Sequence, residues 1–567
     1  MSTTAERAVP SPATGGDGAL SHRQILTVLS GLLLGLLLAA LDQTIVSAAM
    51  RTIADQLHGQ TIQAWGTTAY LITSTISTPL YGKLSDIYGR KRFFITAISL
   101  FLVGSALCGM SQSMYELAAF RAVQGLGAGG LFSLALAIIG DMVSPRERGR
   151  YQGYFLAVFG LASVLGPVVG GFFAGLPSFL GVTGWRWVFL VNLPIGLVAL
   201  TVVSRVLNLP HRRIEHRVDY LGALTLVTGV VPLLIVAEQG REWGWASGRS
   251  LAMFLIGAIG LALFSFTERR MGDEALLPLR LFRSSVFSLA NVLNFIVGMG
   301  MFGGMASLPL YLQIVKGYSP TESGLLLLPL MIGIMAASTL SGQVIARTGR
   351  YRVFPIIGTA AMSASLFLFS RIGADTPLWP TLSTALLMGF GLGLCMQTLV
   401  LAVQNDVPPG DMGVATASAT FFRQMGGTAG TAVFLSILFG VVGDRIADAF
   451  RAAVPTASFQ AALHDPALLA NPDNQVVLTA LRGGGGGNAD LNNTSFIQHL
   501  DPRLAQPFLD GFSSAMDTVF LVGGVVMLVG FALVWFLKNQ ELSSKSGIQR
   551  QAEDAAGATP EPALALD

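Results

Sequence analysis

The chain has 567 residues, of which 52% are hydrophobic and only 12% charged, with a net charge of +3. Soluble domains carry about 25% charged residues, so an ordinary soluble protein is excluded. The net charge is too small, and the basic residues too scattered through short loops, for a nucleic-acid partner.

Residues 1–24 form a polar, small-residue tail. Fourteen apolar runs then follow, near 25–50, 61–81, 93–110, 114–139, 151–174, 186–207, 219–236, 250–267, 286–314, 320–345, 353–370, 378–402, 414–442 and 512–537. Each suffices to cross a hydrocarbon layer of about 30 Å as a helix. The first run is too long for a signal-peptide core and lacks a cleavage-like end, so it counts as a span.

The first span holds Asp42 deep inside it, beside Gln43 and Thr44. An ionisable group there is costly unless paired or wetted, which makes it a functional candidate by default. Burial disfavours the charged form of a carboxylate, which suits reversible proton binding. The bland alternative is a neutral acid hydrogen-bonded to a neighbouring helix. The second span carries Tyr70 and ends in a charged hairpin, GKLSDIYGRK, at 82–91. Gly82 and Gly89 permit a tight connection there. Its cations fix topology on the bland reading. On the sharper one, Asp86 meets the N-terminus of a helix in the other half, whose partial positive charge attracts anions.

The fourth span contains Arg121 and Gln124 and is followed by Asp141. An arginine stays protonated, so Arg121 needs an acid, carbonyl or water nearby. It either answers the charge on Asp42 or serves as a structural hydrogen-bond hub. Gly125, Gly127 and Gly130 satisfy a dinucleotide-type G-x-G-x-x-G, but they lie inside an apolar span with no strand before them, so helix packing is the better account. In the fifth span, GPVVGG (166–171) is expected to break and thin the helix. Pro167 removes a backbone hydrogen bond, while Gly160, Gly166, Gly170 and Gly171 let a neighbour approach closely.

Further along, Asn291, Asn294, Met301, Gln397, Arg423 and Gln424 join Gln43, Thr44, Tyr70 and Gln124 as polar or adaptable residues suited to a mid-membrane substrate cavity. Asn294, Gly298, Met301 and Met305 share a helical face, for which packing is the alternative. A polar stretch, 445–510, with five glycines at 483–487, precedes the last span.

The chain repeats itself. Gly82, Gly89 and Arg90 match Gly342, Gly349 and Arg350 at an offset of 342 − 82 = 260, with Ala346 where the first copy has Asp86. GLGAG (125–129) matches GFGLG (389–393) at an offset of 264. A parallel repeat of six helices is a known transporter design. The expected fold is therefore all-α and integral to the membrane, with two six-helix bundles plus two extra linking helices. Its parts are a 1–24 tail, a bundle at 25–207, linkers at 208–285, a second bundle at 286–537 with an extracytoplasmic insertion at 445–510, and a 538–567 tail. One set of alternate short loops holds 18 Lys and Arg residues and the opposite set 5. The richer set is cytoplasmic by the positive-inside rule, which places both termini inside.

The two cysteines, Cys108 and Cys395, lie in apolar runs without metal spacing, and the six histidines fall in loops or tails. Neither a nucleophile–base pair nor a Walker-type phosphate loop occurs, which argues against an enzyme and against direct use of ATP.

Five stretches carry a resemblance. GKLSDIYGRK, LDQTIVSAAMRTIADQL (41–57), RAVQGLGAGG (121–130), GPVVGG and WRWVFLVNLPIG (185–196) resemble motifs of the major facilitator superfamily, in its fourteen-helix drug:proton antiporter branch. The match spans roughly residues 20–540; Met50 stands where the first-helix motif usually has proline. The resemblance implies proton coupling through Asp42 and Arg121, a conformational latch of Gly82, Asp86, Gly89, Arg90 and Asp141 with an Arg90–Asp141 pair, and an exporter rather than an importer. It implies no cofactor beyond the proton gradient. The implied partners are protons, a small-molecule substrate and the lipid bilayer, for a multi-pass monomer of the plasma (inner) membrane. Multidrug efflux is the leading function. A lipid, siderophore or self-made antibiotic as cargo, and a non-transporting membrane sensor, are the alternatives.

Overall fold

The computed structural model describes residues 22–58, 63–144, 147–207, 219–471, 474–482 and 500–540, together with 497 and 542. The two expected tails and the five-glycine run lie almost wholly outside these. The described chain is helical apart from a two-stranded antiparallel ribbon, Ser178–Phe179 with Val182–Thr183.

The first half comprises α1 (His22–Gln56), α2 (Gln63–Tyr88), α3 (Arg90–Met110), α4 (Met114–Met142), α5 (Arg148–Gly175), α6 (Trp187–Leu190) and α7 (Asn192–Val206). Two linking helices follow, α8 (Tyr220–Trp243) and α9 (Gly248–Met271). The second half comprises α10 (Ser285–Leu310), α11 (Pro320–Leu325), α12 (Leu328–Thr348), α13 (Val353–Phe369), α14 (Leu378–Asn405) and α15 (Met412–Ala453). After three short helices, α16 (Ala457–Leu463), α17 (Pro466–Ala470) and α18 (Gln475–Arg482), it closes with α19 (Pro502–Val534).

Twelve helices among the described residues are long and apolar enough to cross a membrane. Two of the fourteen expected runs fall outside that set. α13 is apolar but has only 17 residues. α2 is long but rich in Ser and Thr, several of whose hydroxyls donate within the helix: Thr73 to Ala69 O at 2.9 Å, Thr75 to Leu71 O at 2.8 Å and Thr78 to Ser74 O at 2.9 Å.

Each half buries its own apolar interior. Leu29, Phe94, Phe101 and Leu131 anchor the first, and Phe287, Phe434, Phe508 and Phe512 the second. A smaller cluster of Ile72, Ile76, Leu226, Val230 and Phe421 places α8 against α2 and α15, over the seam between the halves.

Glycines set the helix spacing, as expected where lipid supplies no hydrophobic drive for association. The glycine run of α4 faces two neighbours at once. A Cβ on Gly125 would meet Thr73 Oγ1 and the Tyr70 carbonyl on α2. One on Gly127 would lie 2.6 Å from Ala97 O on α3. The dinucleotide-like pattern is thus a packing seam. Gly125→Val is expected to cost about 3 kcal/mol by overpacking. Heating the detergent-solubilised protein and assaying the monodisperse fraction would show the loss.

The structure corrects four expectations. α5 runs unbroken through Pro167, because a proline removes only one helical hydrogen bond and the neighbouring turns keep theirs. Gly171 has nothing within 4 Å of where a Cβ would stand, and Gly160 makes only an ordinary 3.6 Å approach to Met335. The close face is that of Gly166 and Gly170, one turn apart, which pack on Thr44 and Ile45 of α1. Gly82 does not form the turn; it lies inside α2, where a Cβ would lie 2.5 Å from Ala417 Cβ and 2.8 Å from Gly413 O of the other half. Finally, the stretch 445–510 is not simply a polar loop. α15 continues to Ala453 and α19 begins at Pro502, and between them Phe459, Leu468, Val477 and Leu478 are buried. Phe450 stacks edge-on with Phe508 at 4.9 Å, and Arg503 pairs with Asp465 at 2.9 Å. An Arg503 hydrogen bond also holds the Asp501 carboxyl below its usual range. The described part of the insertion is a folded helical cluster, at the end of α15 opposite the charged hairpin.

Candidate functional site

Asp42 is fully buried within the first half. Its Oδ2 accepts from Arg121 Nη1 at 2.6 Å. Its Oδ1 accepts from Gln124 Nε2 at 2.8 Å and from Asn192 Nδ2 at 2.7 Å. Two helices therefore supply three donors to one carboxylate: α4 twice, one turn apart, and α7 once. A buried charge that is paired and fully hydrogen-bonded is the form a helical interior can hold.

Arg121 does not depend on Asp42 alone. Its Nε donates to Gly66 O at 3.1 Å and its Nη1 to Gln124 Oε1 at 2.8 Å, while its guanidinium carbon stands 4.1 Å above the Tyr70 ring. Ser105 completes the cluster, accepting from Gln124 at 3.2 Å and Asn192 at 2.9 Å and donating to Phe189 O at 2.9 Å.

Sequence reading paired Asp42 with Arg121 but assigned Gln124 and Tyr70 to a cargo cavity. Both are buried, at 0% and 2% exposure, and line the acid instead. Asn192 was missed. Its signal was present in VNLPIG: an asparagine in an apolar run, two residues before Pro194. That proline cannot donate to Leu190 O, and the helix breaks between α6 and α7 there.

The other cavity candidates are spread out. Thr44 donates to Ala162 O at 2.9 Å, at the seam of α1 with α5. Asn291 and Asn294 donate back to Phe287 O and Ala290 O at 3.0 and 2.9 Å, and their Oδ1 atoms are buried without a partner. Met301 packs on the interior of the second half, and Gln397 is 8% exposed. Gln424 accepts from Thr78 at 3.4 Å across the two halves. Gln43 is half-buried on α1. Arg423, on α15, presents its carbonyl to Gly298 of α10, so the α10 stripe serves packing at that point.

The hairpin forms a second cluster. α2 ends at Tyr88 and α3 starts at Arg90, so Gly89 alone reverses the chain, at φ 100° and ψ 141°. Only glycine adopts that backbone without strain. Asp86 Oδ1 and Oδ2 accept from Gly413 N at 3.2 Å and Val414 N at 3.0 Å, at the N-terminus of α15. Arg90 pairs with Asp86 at 2.5 Å and with Asp141 at 2.8 Å. Two further ties bind the same end. Arg148 donates to Gln404 Oε1 at 2.5 Å, and Arg280 pairs with Asp411 at 2.8 Å. Sequence reading did not single out Arg148, Gln404, Arg280 or Asp411. The two halves are interlocked at the hairpin end in this shape.

A bundle of membrane-length helices with a sealed acid in one half and a polar seam between two halves is the architecture of a multi-pass membrane transporter. The chain belongs to the major facilitator superfamily, whose family model matches residues 32–431. It is 32% identical over 550 residues to the multidrug transporter protein MdtP of Bacillus subtilis, covering 96% of this chain and 99% of that protein. It is 41% identical over 349 residues to a tetracycline resistance determinant of Streptomyces rimosus, covering 62% of this chain and 99% of the relative. The solved proton:xylose symporter XylE aligns over 94% of this chain and 100% of its own with a TM-score of 0.57 at 14% identity, a likeness of fold. As in the superfamily generally, its substrates are small molecules and it needs no bound cofactor.

Proposed function

We propose that the chain is a fourteen-span, proton-driven exporter of small hydrophobic or amphipathic compounds, acting as a monomer in the plasma membrane with both termini cytoplasmic. The names of its relatives, a multidrug transporter and a tetracycline resistance determinant, support drug efflux. The observation that carries proton coupling is the arrangement around Asp42. A proton arriving on Asp42 neutralises one partner of a buried ion pair. Arg121 keeps Gly66 O, Gln124 and the Tyr70 face, so it holds its place while the pull between α1 and α4 is lost. Loading the proton therefore changes how tightly the first half is drawn together, and cargo capture favours its release.

In proteoliposomes, wild-type protein is expected to move a cationic dye uphill under a pH gradient, and collapsing the gradient should stop it. Uphill flux that survives collapse would remove the proposed energy source. Replacing residues 455–500 by a short polar linker is expected to spare dye efflux. Loss of efflux from an otherwise folded variant would favour a lipid or cell-envelope cargo handled by the folded insertion.

A further inference from the structure

The two linking helices hold an acid pair that the proposed transport cycle does not use. Asp219 precedes α8 and is 3% exposed; Glu268 lies in the last turn of α9 and is 1% exposed. Each commits one oxygen to backbone. Asp219 Oδ1 accepts from Gly222 N at 2.6 Å, and Glu268 Oε2 accepts from Leu277 N at 2.9 Å. Each leaves its other oxygen, Asp219 Oδ2 and Glu268 Oε1, buried without a hydrogen-bond partner. Both spare oxygens converge on Gly222: a Cβ there would stand 2.8 Å from Glu268 Oε1 and nearer still to Asp219 Oδ2.

Two ionised carboxylates so placed would bury two unpartnered negative oxygens against the same glycine. Interiors do not tolerate that arrangement, and one of the pair keeps a proton. A single proton converts the two orphans into an O–H···O⁻ hydrogen bond, which is short and strong. Charge balance agrees. Lys83 of α2 is the cation facing Glu268, and it is itself surrounded by Asp86, Asp411 and Arg280. A pair with one proton carries one negative charge, and the nearby cation is already shared with two further acids.

We propose that Asp219 and Glu268 form a second proton-binding site, in which one shared proton clasps α8 to α9 beside the charged hairpin. Because Glu268 also accepts from the backbone of Leu277, the clasp is tied to the connector that leads into α10. The site stands apart from Asp42 and does not depend on that residue's role. α8 itself covers the seam of α2 and α15, so the clasp reports to the interlocked end of the two halves.

The test uses the full chain in detergent, carrying Asp42→Asn so that the first acid contributes nothing. Infrared spectroscopy should show the carbonyl stretch of a protonated carboxyl at neutral pH, lost as pH rises. Glu268→Gln and Asp219→Asn should each remove that band. The linkage sign follows from a proton that the folded state holds: stability is present at low pH and falls as pH rises through the pair's titration. The melting temperature of the parent should therefore fall across that range, and the fall should vanish in Glu268→Gln. If either amide variant fails to fold, Gly222→Ala, which drives a methyl group against both oxygens, should abolish the same band. A band that persists in the variants, or identical melting profiles with pH, overturns the shared proton.

Discussion

Asp42→Asn is expected to reduce gradient-driven uphill flux to the background of empty liposomes, while downhill exchange of cargo persists. The amide resembles the protonated acid in shape, and its oxygen can still accept from Arg121. It cannot, however, gain or lose the charge that the gradient acts on. The variant is thus fixed near the proton-loaded condition, and transport measured at two pH values should no longer differ. Asp42→Ala is a different experiment. Removing one member of a buried ion pair strands the other, at a cost of about 3–5 kcal/mol. Its instability would mask the energetic question that the amide isolates. Uphill pumping by Asp42→Asn at wild-type rates would place the coupling site elsewhere.

Asp86→Asn is expected to leave membrane insertion intact and to slow turnover. The native carboxylate does two things at once. It accepts from the first amides of α15, where the helix end attracts an anion, and it pairs with Arg90. The amide has one acceptor oxygen and no charge. A helix-end anion in a partly buried geometry contributes up to about 2 kcal/mol, which is about 30-fold in the balance between the interlocked shape and its alternative. Spin labels at Tyr88 and Gly410, exposed positions on opposite halves, would read that balance as a distance distribution. Gly413→Ala provides an independent check, since its methyl group would stand 2.6 Å from Asp86 Oδ2. Both variants should shift the population in the same direction. Normal turnover with an unchanged distribution would leave the hairpin as a topology signal only.

The hairpin was readable because its residues are polar where everything around them is apolar, and because its two glycines and Arg90 recur at 342–350. The meeting of Asp86 with a helix start of the other half followed from charge alone. Facing was harder to read. In a span, lipid and protein interior are both apolar, so periodicity does not say which side of a helix points inward. Tyr70 and Gln124 were accordingly placed beside cargo when they enclose Asp42, and Gly171 was grouped with glycines that point the other way. Asn192 was hidden by its position in another motif, and its contact with Asp42 joins residues 150 apart in sequence. Asp219 and Glu268 were passed over because each lies at the end of an apolar run, where acids are commonplace. Only the fold brings both against Gly222. The helical content of 445–510 was masked by composition, since its short helices bury only a few side chains each.

α15 runs without interruption for 42 residues from the amides that hold Asp86 to the folded insertion. At 1.5 Å per residue it is a rod of about 60 Å, twice the thickness of the hydrocarbon layer. A rigid rod transmits tilt. A small swing where it leaves the hairpin becomes a larger excursion at its far tip, with the opposite sign if the pivot lies mid-bilayer. A nanobody gripping the far tip would therefore act as a brake on the distant hairpin end, and a fluorophore placed there would serve as its dial.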